Sequence, residues 1–414
     1  MIRILQREAA GALLRRRAAK LGAAEAVVRP ILEAVRQRGD RALLEYARKF
    51  DGLARRGVRV AEKDLAAAER RLSPQFRRAV RTAAVNIRDF ARRQMPRAWM
   101  RQSAGMRLGQ IVRPVGTVAA YIPAGRYPLP STILMTALPA QVAGVENICL
   151  ASPKPVDDVW GTASMLGLTQ VFEMGGAQAI AAFAYGTRTV PKADRIVGPG
   201  NIYVAAAKKL LAGEVGIDFV AGPTEILIIA AEGDPRWLAA DMLAQAEHDI
   251  DASAVLLTPS RRLAAAVAKE VERQLATLPT AAVASQSIAR NSAILLVRSL
   301  EEAVELANRF APEHLSIPDA RLLPAIQHAG SVFVGPFSPE AAGDYASGPN
   351  HVLPTSGAAR VRGGLAVTDF VKVISVQQLS KAGLQRLAPS IITLARAEGL
   401  EAHARSVEVR GGAR

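Results

Sequence analysis

The chain has 414 residues with a single cysteine and five histidines; half of its residues are hydrophobic, 22% are charged and 5% are aromatic. That is ordinary globular composition with room for roughly two to three domains, and the lone Cys149 excludes an internal disulfide and places the chain in a reducing compartment, the cytoplasm. The net charge of +16 raises nucleic-acid binding, but the arginines are scattered over helices that also carry acids, and aromatic platforms for stacking are scarce, so no nucleic-acid partner is expected.

No window approaches the ~18 consecutive apolar residues of a membrane span. The opening "MIRILQREAAGALLRRRAAK" is amphipathic and Arg-rich. Glu8 interrupts it and no small-residue cleavage site follows, so it reads as a first helix packing on the fold and not as a transit peptide. Residues 1–95 are mostly helical in pattern: "AEAVVRPILEAVRQRG" and "SPQFRRAVRTAAVNIRDFARRQ" place apolar residues at three-and-four spacing. From about residue 106 short β-rich runs alternate with helical ones, and a second alternating block starts near 225 with "EILIIAA", separated by a hinge near "DFVAGPTE". Such alternation predicts two largely parallel sheets covered by helices. The tail, "QQLSKAGLQRLAPSIITLARAEGLEAHARSV", reads as helical. Cys149 reads as a small buried strand residue. Open parallel sheets bind ligands at the carboxyl ends of their strands, so polar residues at strand ends become the first candidates.

Three strand-to-helix junctions carry glycine: "YIPAGRYP", "MGGAQAI" and "GPGN". Glycine lets the chain turn tightly there, and a helix N-terminus offers N–H groups to phosphate. None is G-x-G-x-x-G, so the usual dinucleotide fingerprint is missing. Their clustering in one block nevertheless favours a nucleotide site, with Tyr121, Gln178 and Asn201 placed to contact a ring or a ribose.

The titratable chemistry is concentrated in four places. Gln245 and His248 share a helical face, since residues three apart are neighbours; imidazole is the commonest protein metal ligand, while the amide makes this half a site. Glu247 between them reads as solvated or supporting. Glu313 and His314, in "APEHLSIP", put an acid and an imidazole side by side in a segment read as irregular, which suits proton transfer. Asp344 and His351 lie in "GDYASGPNHVLPT", a Gly- and Pro-rich segment of the functional-loop kind. Glu398 and His403 end the C-terminal helix; His328 reads as structural. With no cysteine cluster, any metal has N and O ligands, as in a catalytic or substrate-holding zinc or manganese site.

The strings "VRQRGDRALLEYARKFDG", "GGAQAIAAFAYGT", "DRIVGPGN", "AGPTEIL", "LAQAEHD", "APEHL", "GDYASGPNHVLPT" and "LAPSIITLARAEGLEAHARSV" together resemble, in order and over nearly the whole chain, the L-histidinol dehydrogenase family. The resemblance implies a zinc- and NAD-dependent oxidation of L-histidinol to L-histidine through histidinal, with two NAD+ in turn, in histidine biosynthesis. Carried over position by position, the zinc ligands are Gln245, His248, Asp344 and His403, the last supplied by the partner subunit of a domain-swapped homodimer. Glu313 and His314 match the catalytic pair, His314 as general base and Glu313 activating water, with zinc orienting the substrate. Thr224, His351 and Glu398 match substrate-contacting positions, to which Gln245, His248, Glu313, Asp344 and His403 also contribute, and Tyr121, Gln178 and Asn201 match NAD contacts. Thr224 stands where serine is frequent, keeping the hydroxyl; "YIPAG" lacks the family's second glycine, and "ARVRGGLAV" is less serine-rich than usual.

The fold implied is α/β: two incomplete Rossmann-like parallel-sheet domains plus small helical N- and C-terminal elements. Residues 22–110 and 225–345 would form the first α/β domain, with the metal and catalytic residues. Residues 111–224 would form the second, NAD-binding one, and 1–21 and 346–414 an extension and helical tail involved in dimerisation. The alternatives are a metal- and NAD-dependent dehydrogenase of another small polar alcohol, against which Glu398 and His351 weigh, and a metal-dependent hydrolase, against which the glycine turns weigh.

Overall fold

The computed structural model describes residues 2–13, 21–124, 127–154 and 156–411. Residues 14–20 of the expected first helix, and Gly125 and Arg126 of the first glycine turn, lie outside the described residues. Two compact units are formed: Met1–Gln94 with Gly116–Phe370, and Met95–Val115 with Val371–Arg414.

In chain order the strands are β1 (Arg3–Leu5), β2 (Trp99–Ser103), β3 (Met106–Pro114), β4 (Thr117–Tyr121), β5 (Asn147–Ser152), β6 (Gln170–Glu173) and β7 (Arg195–Val197). They continue as β8 (Gly216–Ile217), β9 (Glu225–Ile229), β10 (Ser253–Thr258), β11 (Ala293–Leu296), β12 (His314–Ile317), β13 (Ser331–Val334) and β14 (Val371–Leu379).

The first unit holds the two expected parallel sheets, in the orders β6-β5-β4-β7-β8 and β1-β11-β10-β9-β12-β13. Their central strands are apolar without alternation ("EILII", "AILL") because helices cover both faces, and every residue of β9 and β11 is buried. The helix Leu21–Arg38 buries Leu21, Ala24, Val28, Ile31, Leu32 and Val35 in the same core as Phe172, Ile180 and Val204 of the five-stranded sheet's layer.

In the six-stranded sheet, the helix Leu300–Phe310 sets up the segment that follows it. Ser299 caps its first turn by accepting from the Glu302 N–H, and Ala303, Val304, Ala307 and Phe310 form its buried stripe. Ala311, at φ +57°, ends it, and the chain turns directly into β12.

Three local expectations are corrected. Residues 3–5 form an edge strand paired parallel to Ala293–Leu295, with a 3-10 turn at Arg7–Ala9 and α-helix only from Ala10, because the open edge of β11 offers backbone partners that an isolated helical turn lacks. His314 is not in an irregular segment but is the first residue of β12, paired between β9 and β13. Asp344 lies in a short helix, Glu340–Tyr345.

In the second unit, β14-β3-β2 form an antiparallel sheet, with β14 in register from Val371↔Pro114 to Leu379↔Met106. The tail is therefore not helical throughout: "VKVISVQQL" alternates its side chains on a strand before the helices Lys381–Ala397 and Glu401–Glu408 begin. Ala104 and Gly105, at φ +49° and +81°, close the β2–β3 hairpin with the two positive φ values that a tight two-residue turn requires.

Candidate active site

Thr224 precedes β9 and Glu313 precedes β12, and because these strands are parallel neighbours with His314 opposite Ile226, the two dipeptides Thr224-Glu225 and Glu313-His314 meet at the amino edge of the sheet. The helix Pro235–Ala246 runs back from the carboxyl edge and brings Gln245, in its last turn, to the same place. The expectation of a site at the carboxyl ends of strands is corrected here: in this sheet the polar cluster gathers at amino ends, since a returning helix ends there.

Glu313 is buried; its Oε2 accepts from Thr224 Oγ1 at 2.5 Å and from the Glu225 N–H at 2.9 Å. Burial raises its pKa well above the usual carboxylate range, against the lowering effect of those two donors. His314 is also buried, with Nδ1 3.3 Å from the Glu225 carbonyl. A carbonyl can only accept, so the proton sits on Nδ1 and Nε2 carries the lone pair. That Nε2 has no partner among the described residues and lies 3.8 Å from Asp344 Oδ1. Desolvation lowers the ring's pKa to about 3, so it stands neutral.

The Gln245 amide links these groups. One end lies 2.8 Å from Thr224 Oγ1; the other lies 2.7 Å from Glu340 Oε1 and 3.2 Å from His314 Nδ1. Thr224 has one hydroxyl proton and gives it to Glu313, so the amide nitrogen donates to Thr224 and the oxygen faces Glu340 and the Nδ1 proton. Glu340 is 2% exposed and burial holds its carboxyl well above the usual range, so it is protonated and can donate to that oxygen. Glu340 Oε1 is also 3.4 Å from His314 Nδ1.

His248, Glu340 and Asp344 bring one ligand atom each within 4.8 Å of one another. Burial lifts Asp344 to about 7. These imidazole and carboxylate donors, with the Gln245 oxygen nearby, suit a borderline divalent metal such as zinc, and a cation would relieve the repulsion among buried acids. His351 is held by Nδ1 at 2.7 Å from the Asp344 carbonyl, with Nε2 3.4 Å from Thr132 Oγ1; desolvation lowers it to about 4. Glu247 accepts from Thr280 Oγ1 at 2.6 Å, a supporting role.

Around the five-stranded sheet, Tyr121 ends β4, and the glycine turns follow β6 and β7 at the same carboxyl edge. The turns are not open phosphate cradles. Tyr121 Oη accepts from the Gly176 N–H at 3.2 Å, and Asp51 Oδ2 accepts from the Gly175 N–H at 2.9 Å and from Gln178 Nε2 at 3.0 Å. Asn201 Oδ1 accepts from the Tyr203 and Val204 N–H groups, capping its own helix. Gly198, at φ +106°, presses on Tyr121: an added Cβ would lie 2.2 Å from the Tyr121 carbonyl oxygen. Asp218 Oδ2 accepts from the Gly198 N–H at 2.8 Å, and buried Lys208 pairs with its other oxygen. Burial pushes Tyr121 up to about 12.

Of the predicted site residues, the first unit brings together Thr224, Gln245, Glu313 and His314, with His248 and Asp344 beside Glu340 and His351 held at the Asp344 carbonyl. It places Tyr121 and Gln178 against one glycine turn, with Asn201 capping the next helix. Glu398 and His403 belong to the second unit, at the end of Lys381–Ala397 and within Glu401–Glu408. Two participants were missed. Glu340 sits four residues before Asp344, a helical spacing that would have paired the carboxylates. Asp51, in "KFDG", had no local signal, because its partners lie more than a hundred residues away.

A family model described as histidinol dehydrogenase matches residues 14–411. The chain is 50% identical over 396 residues to the histidinol dehydrogenase of Thermus thermophilus, covering 93% of this chain and 94% of the relative. It is 48% identical over 393 residues to that of Halalkalibacterium halodurans, covering 92% and 93%. Among solved structures it is similar to the histidinol dehydrogenase of Elizabethkingia anophelis, with a TM-score of 0.95 at 37% identity over 99% of this chain and 98% of that one.

Proposed function

The chain belongs to the histidinol dehydrogenase family, and from that premise we propose that it oxidises L-histidinol to L-histidine through histidinal, at the expense of two NAD+, as the last steps of histidine biosynthesis in the cytoplasm. The single observation that carries this reading is the buried chain of Thr224, Glu313, His314 and Gln245 set against the His248, Glu340 and Asp344 donor group.

Each residue has a task that follows from its surroundings. His314 offers a bare Nε2, and a neutral imidazole in a dry pocket takes the proton of the substrate hydroxyl as the C–H bond is oxidised. Glu313, with its pKa raised, is a stronger base once ionised, and takes a proton from the water that adds to the aldehyde before the second oxidation. Thr224 holds the Glu313 carboxylate in place through one short hydrogen bond. Zinc, when bound by Gln245, His248, Asp344 and His403, supplies a fixed anchor for the substrate's nitrogens, so orientation is its main contribution. His351 and Glu398 are assigned to substrate contact, and Tyr121, Gln178 and Asn201 to NAD.

In the proposed arrangement the six-stranded sheet carries the metal and catalytic residues and the five-stranded sheet is the NAD-binding part. Residues 1–21 and 346–414 take part in a homodimer in which His403 completes the partner's site. The test is spectrophotometric: NADH should appear when the purified chain receives L-histidinol and NAD+, cease after chelation and return with zinc. No NADH from L-histidinol, with turnover of another amino or polar alcohol, would move the assignment to a related dehydrogenase.

A further inference from the structure

A carboxylate outside the six-stranded sheet's cluster, that of Asp51, pins the turn after β6. Asp51 is the last residue of the π-helical segment Ala47–Asp51 and reaches the turn after β6. One of its oxygens accepts from both the Gly175 N–H and the Gln178 amide nitrogen. Gln178 is 1% exposed, so its amide cannot be satisfied by bulk water. Its nitrogen is spent on Asp51, while its oxygen accepts no hydrogen bond from any described residue. That oxygen lies over the backbone of Gly176, 2.8 Å from where a Cβ would stand, at φ +59°. Only glycine leaves room for it. Tyr121 Oη and Asp51 meanwhile occupy the N–H groups of Gly176 and Gly175. With two of its free N–H groups already engaged, this N-terminus has fewer left to offer a phosphate.

We propose that Asp51 is a positioning residue for the cofactor: it fixes the Gln178 amide so that only the carbonyl oxygen is presented, and makes this turn a hydrogen-bond acceptor for a hydroxyl or amide N–H of NAD+ rather than a cradle for its pyrophosphate. The inference rests on the NAD+-dependent reading above. Asp51 also keeps its place through the fold: an added Cβ at Gly175 would come 3.0 Å from its Oδ1 and 2.5 Å from Pro153 Cβ, so the turn and the carboxylate are fitted to each other.

The test reverses the donor and acceptor. Gln178→Glu sets two carboxylates face to face, whereas Asp51→Asn with Gln178→Glu restores the hydrogen bond with its direction reversed and the wild-type net charge. NAD+ dissociation constants, KM for NAD+, kcat, zinc content and L-histidinol binding are measured for wild type, Asp51→Ala, Gln178→Glu and the double variant. Asp51→Ala and Gln178→Glu are expected to raise KM and Kd for NAD+ about five- to ten-fold, the scale of one lost hydrogen bond. Zinc content and L-histidinol binding should be unchanged, and the double variant should recover most of the loss. If Asp51→Ala does not fold, the comparison of Gln178→Glu with the double variant still decides. NAD+ affinity within two-fold of wild type in Gln178→Glu, or a double variant no better than Gln178→Glu, overturns the proposal. A wild-type chain that makes no NADH from L-histidinol instead overturns the reading on which it rests.

Discussion

At the scale of single residues, the site is an arrangement of groups held in the protonation states that burial prefers. His314 is neutral with its lone pair on Nε2, and His314→Asn should lower the first oxidation by roughly 10²- to 10⁴-fold, the worth of a general base. Zinc content should stay at wild type; near-normal turnover would remove His314 from the base role. The acids carry a pH dependence of definite sign. Glu340 and Asp344 have raised pKa values in the folded chain, Asp344 to about 7. Their protonated forms are favoured by folding, so their contribution to stability is complete below the ordinary carboxylate range of about 4 and is lost as pH rises through the folded values. His314, lowered to about 3, acts at the other end: its contribution is present above the ordinary imidazole value of about 6.5 and is lost as pH falls toward 3. Glu340→Gln keeps a donor toward Gln245 and cannot ionise. In the metal-free protein its melting temperature should exceed wild type at pH 8 and match it near pH 5, by calorimetry. An equal or lower value at pH 8 would mean that Glu340 is not a repelled buried acid.

At the scale of elements, the proposed cofactor side depends on turns pinned by carboxylates. Asp218 receives the Gly198 and Phe219 N–H groups and pairs with Lys208, itself donating to the Gly198 carbonyl at 3.1 Å. The pair ties the helix Ile202–Leu211 to the "GPGN" turn that packs against Tyr121. Removing one member leaves a buried charge without its partner. Lys208→Met should destabilise the chain by roughly 3–5 kcal/mol in urea unfolding, with NAD+ binding weakened as well. Lys208→Met with Asp218→Asn should recover part of this. A single variant as stable as wild type would show that the charge is relieved elsewhere.

At the scale of the whole molecule, Glu398 and His403 lie in a unit separate from the catalytic pair. That unit exposes Trp99, Leu108 and Val373 on one face of its sheet and Met100 and Ile374 on the other. Exposed apolar side chains on both faces of a small sheet favour coverage by a second chain, in keeping with the proposed homodimer. His248→Asn and His403→Asn, each inactive alone, should regain measurable activity when mixed after unfolding and refolding, because one of the two sites in a heterodimer then has all its ligands. Heterodimers that form without any activity would place His403 in the site of its own chain.

The α/β class and the two parallel sheets were legible in the sequence, and so were the residues proposed for the site. Continuous apolar runs and three-and-four spacing are local consequences of burial, and the polar strings "LAQAEHD", "APEHL" and "GDYASGPNH" stand out against them. Tertiary structure alone decided the rest. His314 is a strand residue because β9 and β13 flank it, which no window of four residues reveals. The cluster forms at amino ends because the helix Pro235–Ala246 returns there with Gln245. Asp51, Tyr121 and Asn201 occupy N–H groups at the glycine turns after β6 and β7, which the glycines alone do not reveal. A pattern along the chain shows which groups are present; their hydrogen-bond partners, and so their protonation and free valences, come from residues that only the fold brings near.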